Sequence, residues 1–173
     1  MIRLDNRLKC AFDMLAGMSS VADIGCDHGK LTAALLIDSG CARVVAGDIS
    51  PECLEKSRRV IDRYSLQGRA DVRIGSGFSI LSPGECESAA VLGMGGELII
   101  DILKATPQVA KSMERIVLQP MSGIEPLRRW LYDNCYHVIL DKLVPVGKRW
   151  YQLICIKKAD RPDHWPECFP EKC

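Results

Sequence analysis

The sequence predicts an α/β fold whose seven-stranded, mostly parallel sheet carries helices on both faces and ends in an antiparallel hairpin. Between residues 21 and 118, five short apolar runs alternate with helix-like segments. Continuous apolar runs of this kind are typical of parallel strands that are buried on both faces. Residues 136–144 and 149–156 are also strand-like, but only residues 145–148 connect them. Such a short connection cannot cross over the sheet, so it predicts a hairpin.

The elements alternate without interruption along the chain. Apolar residues at helical spacing predict a first helix over residues 3–16. Ser50 and Pro51 are favourable residues for the N-cap and the first position of a helix. The predicted parallel strands are residues 21–24, 44–48, 70–74, 89–92 and 115–118. Further helices are predicted at residues 30–37, from residue 51 onwards, at residues 97–103, and around Leu127 and Leu131.

Composition is consistent with a single globular domain. The chain has 173 residues, of which 47% are hydrophobic and 26% charged, the usual balance for a folded core. We expect one domain over residues 1–157 and a short irregular tail over residues 158–173. Lys and Arg number 23 and Asp and Glu 22, so no overall positive field attracts nucleic acid. A nucleic-acid partner would have to use a local basic face.

The nine cysteines do not predict a disulfide framework. Their number is odd, they are scattered, and no C-x-x-C pair occurs, so we expect reduced thiols. Cys168 and Cys173 lie close together but lack paired histidines, and we predict no metal site there. No apolar stretch approaches the roughly 20 residues that span a bilayer, and the N-terminal residues lack a signal-peptide core. We therefore expect a cytoplasmic protein without a membrane partner.

The most informative stretch is residues 21–29, where an apolar run reaches Asp23 and then two glycines, Gly25 and Gly29. A second strand ends at another acid, Asp48. Two strand ends with two acids and a glycine turn are typical of a nucleoside-binding crevice. The spacing favours S-adenosylmethionine over a dinucleotide, although ordinary turns of an α/β sheet are the alternative. The expected cofactor contacts are Asp23, Gly25, Asp27, Gly29, Asp48, Ile49, Gly75, Ser76, Gly77, Gly93 and Met94.

A second turn, Gly93-Met94-Gly95-Gly96, follows the fourth strand. Methyltransferases that act on exocyclic amines usually carry Asn or Asp, two prolines and an aromatic residue at this place. This turn offers only backbone and a thioether, which favours a ring nitrogen whose lone pair needs no prior deprotonation. Proximity and alignment could then provide most of the rate enhancement. The alternative is that these glycines let a helix pack close to the sheet.

Each of the other polar residues near the predicted strand ends has two possible roles. Asp27 and His28 are either a catalytic proton acceptor or a pair that stabilises the turn. Gln119 and Pro120 either present an amide to a base edge or simply end the fifth strand. Cations near the site either contact phosphates or form a solvated surface; they are Arg3, Arg7, Lys9, Arg128 and Arg129.

The chain resembles the bacterial tRNA (adenine(22)-N1)-methyltransferases over residues 3–157. The motifs that carry the resemblance are Leu4-Asp5-Asn6-Arg7-Leu8, Ala22-Asp23-Ile24-Gly25-Cys26-Asp27-His28, Gly93-Met94-Gly95-Gly96, Leu118-Gln119-Pro120 and Tyr151-Gln152. The resemblance implies a Rossmann-like class I methyltransferase fold, S-adenosylmethionine as cofactor and tRNA as partner. It also implies methyl transfer to N1 of an adenine in the D-arm. The implied substrate contacts are Arg7, Met94, Gly95, Gly96, Gln119 and Pro120.

One departure from this family concerns the end of the chain. Family members continue into a helical extension thought to hold tRNA, whereas this sequence ends in a short tail containing Pro and Cys. Two other functions therefore stay open. The chain could methylate a small molecule, or it could bind cofactor or RNA without turnover.

Overall fold

The computed structural model describes residues 2–160 as a seven-stranded sheet with helices on both faces. This confirms the predicted fold class. The strands are β1 (Ser20–Ile24), β2 (Arg43–Asp48), β3 (Ala70–Ile74), β4 (Ser88–Met94), β5 (Arg115–Pro120), β6 (Tyr136–Val146) and β7 (Arg149–Lys158). The helices are α1 (Asn6–Met14), α2 (Lys30–Asp38), α3 (Pro51–Arg63), α4 (Gly96–Ala105), α5 (Pro107–Lys111) and α6 (Ile124–Asp133).

The strand order is β3-β2-β1-β4-β5-β7-β6, with β1 to β5 parallel and β7 antiparallel to both of its neighbours. The order reverses between β1 and β4, because the chain returns from the β3 edge to pair beside β1. In sheets of this kind, ligands bind beyond the carboxyl ends of the strands at such a switch point. The topology therefore places the ends of β1, β2 and β4 at one candidate site.

Alternate residues of each strand face two different helix layers. One core packs α1, α2 and α3 against residues such as Val21, Val44 and Ala90. The other packs α4, α5 and α6 against Ala22 and Val91 on the opposite face. The buried strands have no solvated face, which is why they appear in the sequence as continuous apolar runs.

Several boundaries differ from the sequence prediction. Helix α1 is shorter than the predicted residues 3–16, because Asp5 caps it by accepting a hydrogen bond from the Leu8 amide at 2.8 Å. A 3-10 helix over Gly77–Ile80 and the short helix α5 were not predicted. Strand β7 continues to Lys158, one residue beyond the predicted end of the domain.

The terminal hairpin extends beyond the rest of the sheet. The last register pair between β5 and β7 joins Leu118 to Ile154, and β7 begins five residues earlier, at Arg149. At about 3.4 Å per residue, the hairpin tip therefore projects about 17 Å past that pair. It projects at the edge where the parallel strands end, because β7 runs antiparallel to β5.

The structure bears on the expectations about cysteines, metals and membranes only for residues 2–160. The seven cysteines in residues 2–160 are free thiols. Within that range, no cluster of three His, Cys, Asp or Glu side chains has metal-binding geometry, and no helix is long and apolar enough to cross a bilayer. Cys168, Cys173 and most of the expected tail lie outside the described residues.

Candidate active site

The turn after β1 adopts the left-handed conformations that its glycines predict. Gly25 and Gly29 have φ angles of +76° and +63°, and Asp27 between them has φ +42°. A Cβ on Gly29 would lie 3.0 Å from the Ser57 backbone in α3, so this glycine lets α3 pack against the turn. A Cβ on Gly25 would meet the Met94 methyl group at 2.6 Å. Gly25 therefore brings the β1 turn next to the end of β4.

A cavity of about 470 Å³ lies between α1, the β1 turn and the end of β4. It brings together seven predicted site residues from three separate segments of the sequence. The predicted residues lining it are Arg7, Asp23, Gly25, Asp27, His28, Gly93 and Met94. The lining residues that the sequence did not indicate are Asp5, Leu8, Cys26, Lys30, Leu31 and Leu92. Leu8 follows Arg7 in α1 and Asp5 caps that helix, but no local sequence signal places the helix over the cavity.

Asp23 is a buried carboxylate at this cavity. Its Oδ2 accepts a hydrogen bond from the Thr32 hydroxyl at 2.7 Å. Burial raises the pKa of Asp23 from 3.8 to about 6, and the Thr32 hydrogen bonds only partly oppose that effect. Within residues 2–160, Asp23 contacts no lysine or arginine. Its charge therefore lacks a cationic partner from the protein.

Asp48 connects two strand ends. Its Oδ1 accepts from the Ser50 amide at 2.9 Å, and its Oδ2 lies 3.4 Å from the Asp27 amide. The second contact is longer than an ordinary hydrogen bond. Oδ2 thus retains acceptor capacity at the edge where β1 and β2 end.

Four of the predicted cofactor contacts lie at the neighbouring strand ends rather than among the residues that line the cavity. Ile49 is exposed after β2, and the Gly75 amide donates to the Asp48 carbonyl at 3.1 Å. Gly77 has φ +55°, and a Cβ there would lie 2.7 Å from the Ile102 side chain. Gly77 therefore has a packing role against α4. The cofactor roles of Ile49, Gly75, Ser76 and Gly77 stay predictions.

Asp27 and His28 form an exposed pair at the mouth of the cavity. The Asp27 Oδ2 and His28 Nε2 atoms are 3.5 Å apart, and the two side chains are 58% and 54% exposed. Cys53 of α3 also donates to Asp27 across 3.7 Å. The pair is accessible to a ligand and to water, so the geometry leaves both of its predicted roles open.

The Gly93-Met94-Gly95-Gly96 turn divides into two parts. Gly93 and Met94 line the cavity, whereas Gly95 is the N-cap of α4 and Gly96 its first residue. A Cβ on Gly96 would lie 2.4 Å from the Gly123 carbonyl oxygen. Neither Gly95 nor Gly96 lines the cavity, and Gly96 packs against the backbone of Gly123, which precedes α6. Their predicted substrate contacts stay untested.

Arg7 and Gln119 bond to each other, which bears on two expectations that stay predictions. Arg7 Nη1 donates to Gln119 Oε1 at 2.9 Å, and its guanidinium lies 5.9 Å from the Tyr151 ring centre. Gln119 is fully buried and donates through Nε2 to the Pro120 carbonyl at 3.0 Å. In this structure the Gln119 amide therefore bonds within the protein. Arg7 lines the cavity, and the substrate contacts of both residues stay predictions.

Two other expected phosphate contacts are in ion pairs. Arg128 pairs with Asp141, and its side chain is only 18% exposed. Lys9 pairs with Asp13 one helical turn away. Arg3 precedes α1 instead of lying on it.

Comparison with known proteins identifies the family. The family described as "methyltransferase domain" matches residues 4–154, which contain every element that lines the cavity. The chain belongs to this methyltransferase domain family. The match agrees with the strand order and with the terminal hairpin.

Relatives of this methyltransferase domain act on tRNA according to their names. The tRNA (adenine(22)-N(1))-methyltransferase of Bacillus subtilis is 28% identical over 160 residues, which are 92% of this chain and 67% of that protein. A putative tRNA methyltransferase of Mycoplasma genitalium is 28% identical over 144 residues, 82% of this chain and 63% of that protein. The chain thus spans roughly two thirds of the length of these relatives.

Solved structures share the fold. The crystal structure of the B. subtilis tRNA methyltransferase TrmK has a TM-score of 0.85 and 27% identity, and the match covers 93% of this chain and 69% of that one. An uncharacterized protein from Listeria monocytogenes has a TM-score of 0.89 at 22% identity, covering 95% and 72%. The latter likeness supports the fold alone.

The methyltransferase domain has a second cavity at the same edge of the sheet, which the sequence did not predict. It measures about 360 Å³ and lies between the end of β5, the start of α6 and the projecting hairpin. Its lining residues are Pro120, Met121, Ile124, Leu143, Arg149, Trp150, Tyr151 and Gln152. Pro120, a predicted substrate contact, is therefore in this cavity and not in the first one.

Proposed function

We propose that the chain transfers a methyl group from S-adenosylmethionine to N1 of an adenine in the D-arm of tRNA, at position 22. One observation carries the proposal: the glycine turn after β1 and the last two residues of β4, Gly93 and Met94, line a single cavity. Family membership and the named relatives support the same reaction. The proposal implies a cytoplasmic enzyme, since tRNA is its substrate.

The residues present fit a cationic methyl donor. S-adenosylmethionine carries an ammonium and a sulfonium group, and when bound it supplies an electrophilic methyl group. Asp23 and Asp48 contact no lysine or arginine in residues 2–160. A cation beside Asp23 offsets the burial that raises the pKa of this carboxyl. Asp48 would accept hydrogen bonds from ribose hydroxyls, and Gly25 would leave room for the backbone to approach.

The acceptor side fits a ring nitrogen. N1 of adenine has a free lone pair, so no proton has to leave before the bond to the methyl carbon forms. The β4 turn offers no carboxylate or amide side chain, which an exocyclic amine would require. The Arg7–Gln119 hydrogen bond fixes the wall beside Met94, so the protein's contribution is to hold the two reactants in line. Methylation leaves a positive charge on the ring, and the nearby carboxylates stabilise it.

The target base must leave its stack to reach the cavity. Extruding a nucleotide costs a few kcal/mol, which contacts to the flipped base have to offset. Met94 and the exposed Asp27–His28 pair lie at the cavity. We propose Met94 as an apolar contact to the base, and we keep Asp27 and His28 as candidate proton acceptors.

Transfer of label from S-adenosylmethionine to tRNA tests the proposal. We expect label in 1-methyladenosine after nuclease digestion, and none when adenine 22 is replaced by guanine. Label only in small metabolites would instead indicate a small-molecule methyltransferase. Binding of the donor without transfer to any acceptor would indicate a binding module without turnover.

A further inference from the structure

We propose that the second cavity and the hairpin tip bind an unpaired nucleotide that neighbours the target adenine. This inference rests on the proposed function, because it assigns a further RNA subsite to the same enzyme. The subsite consists of Met121, Leu143, Arg149 and Trp150, with Lys148 at the hairpin turn.

The two cavities are neighbours at the edge of the sheet. Met94 pairs in register with Pro120; Met94 lines the first cavity and Pro120 lines the second. Neighbouring strands are about 4.8 Å apart, so the two cavities are separated by one step across the sheet. A nucleotide next to one that inserts its base beside Met94 is therefore within reach of the second cavity.

The second cavity has an exposed apolar surface. Trp150 is 64% exposed, Leu143 62% and Met121 51%, and all three line this cavity. Leu143 pairs in register with Gln152, two residues from Trp150 on the same face of β7. A tryptophan exposed beside apolar neighbours provides a flat surface for a nucleobase, because every base has a π-face to stack.

Charge favours RNA over an apolar peptide as the occupant. Lys148 and Arg149 are exposed at the hairpin tip, and neither forms an ion pair with another residue in the range 2–160. Two free cations next to a stacking surface match the phosphate and base of one nucleotide. The cavity volume of about 360 Å³ is near the lower end of the range for ligand pockets. A cavity of this size suits a single nucleotide rather than a longer segment.

The test measures binding of fluorescently labelled tRNA by anisotropy with the full chain. Trp150→Ala is expected to weaken tRNA affinity about tenfold, as loss of one stacked base does, and to raise KM for tRNA by a similar factor. Affinity for S-adenosylmethionine and kcat at saturating tRNA stay unchanged. Trp150→Phe restores most of the affinity, and Arg149→Gln reduces the salt dependence of binding by about one ion.

Two substitutions at the far end of the hairpin are matched controls. Ile139→Ala removes an apolar side chain that is also exposed, and Lys157→Gln removes a cation from the other end of β7. Neither is expected to change tRNA affinity. Equal affinities of the Trp150→Ala and Ile139→Ala variants, both folded by circular dichroism, would overturn the inference.

The outcomes separate this inference from the proposed function. A wild-type protein that binds tRNA but transfers no methyl group refutes the proposed function, while the Trp150→Ala affinity still decides the subsite. A wild-type protein that methylates tRNA with unchanged KM after Trp150→Ala refutes only the subsite. Absence of any tRNA binding refutes the subsite whatever the acceptor.

Discussion

Two groups of charged residues in this protein have opposite electrostatic arrangements. Near the β3 edge, Arg73 bonds to Asp71 at 2.7 Å and to Glu85 at 2.5 Å, and Arg43 contacts both acids. These arginines lower the pKa of Asp71, and hydrogen bonds from Arg73 above all lower that of Glu85 to about 2. At the carboxyl ends of β1 and β2, by contrast, Asp23 contacts a hydroxyl and Asp48 backbone amides.

The difference shows how the fold separates stability from binding. Acids that have arginine partners stabilise the folded state, because their pKa values are below those of the unfolded chain. Asp23 destabilises it, because burial raises its pKa without a compensating cation. A protein tolerates such a cost where a ligand provides the missing charge.

Asp48→Ala is expected to have the largest effect. Losing two charge-assisted hydrogen bonds to ribose hydroxyls, each of about 1.5–3 kcal/mol, weakens S-adenosylmethionine binding more than a hundredfold in calorimetry. Asp71→Ala is the matched control: it removes a carboxylate with arginine partners, so it lowers the melting temperature but leaves donor affinity unchanged. Unchanged donor affinity in Asp48→Ala would refute the cofactor site.

Asp23→Asn is expected to stabilise the folded protein while weakening donor binding. The folded pKa of about 6 exceeds the unfolded 3.8, so the ionised Asp23 costs up to about 3 kcal/mol above pH 6. This cost diminishes as the pH falls from 6 to 3.8 and is absent below that range. Urea unfolding of the wild type and the variant at pH 8 and pH 4 measures this cost. If the variant's gain in free energy of unfolding at pH 8 persisted at pH 4, the raised pKa of Asp23 would be contradicted.

Glu85→Gln is expected to have the opposite sign. Glu85 has a folded pKa of about 2 against 4.5 in the unfolded chain, and its side chain is 16% exposed. Its contribution, about 2 kcal/mol after allowance for solvent screening, is present above pH 4.5 and is lost as the pH falls towards 2. The variant should unfold at lower urea concentration at pH 7 and bind the donor normally. Weakened donor binding would show that the ion cluster supports the site.

His28→Ala is expected to have the smallest effect. The Asp27–His28 pair places an imidazole beside a carboxylate, but both side chains are more than half exposed. A ring nitrogen needs no deprotonation before attack, so kcat for tRNA should fall less than tenfold. Proton-transfer catalysis contributes about 10² to 10⁴ in rate. A loss in that range, with a shifted pH profile, would assign the pair a catalytic role.

The sequence predicted the sheet well because its signals are local. The apolar runs, the glycine turn at residues 25–29 and the short 145–148 connection each act within a few residues. They were sufficient for the strand count and the hairpin, both of which the structure confirms. The short helix α5 was missed although Pro107 follows Thr106, a usable start signal.

The site's composition could be predicted only in part, because its contacts are long-range. Arg7 and Gln119 are 112 residues apart, and nothing in either segment indicates their hydrogen bond. Similarly, nothing near Gly96 in the sequence indicates that it packs against the backbone of Gly123, which caps α6. The second cavity depends on how far β7 extends beyond β5, which no local pattern specifies.

The close approach of Gly96 to Gly123 has a consequence for how the sequence can diverge. Any side chain at position 96 meets main-chain atoms, including a carbonyl oxygen at 2.4 Å and a carbonyl carbon at 3.0 Å. A second substitution can replace a neighbouring side chain by a smaller one, but it cannot remove main-chain atoms. Evolutionary drift at position 96 therefore requires the α4 and α6 helices to move apart, which would also shift the turn that carries Met94.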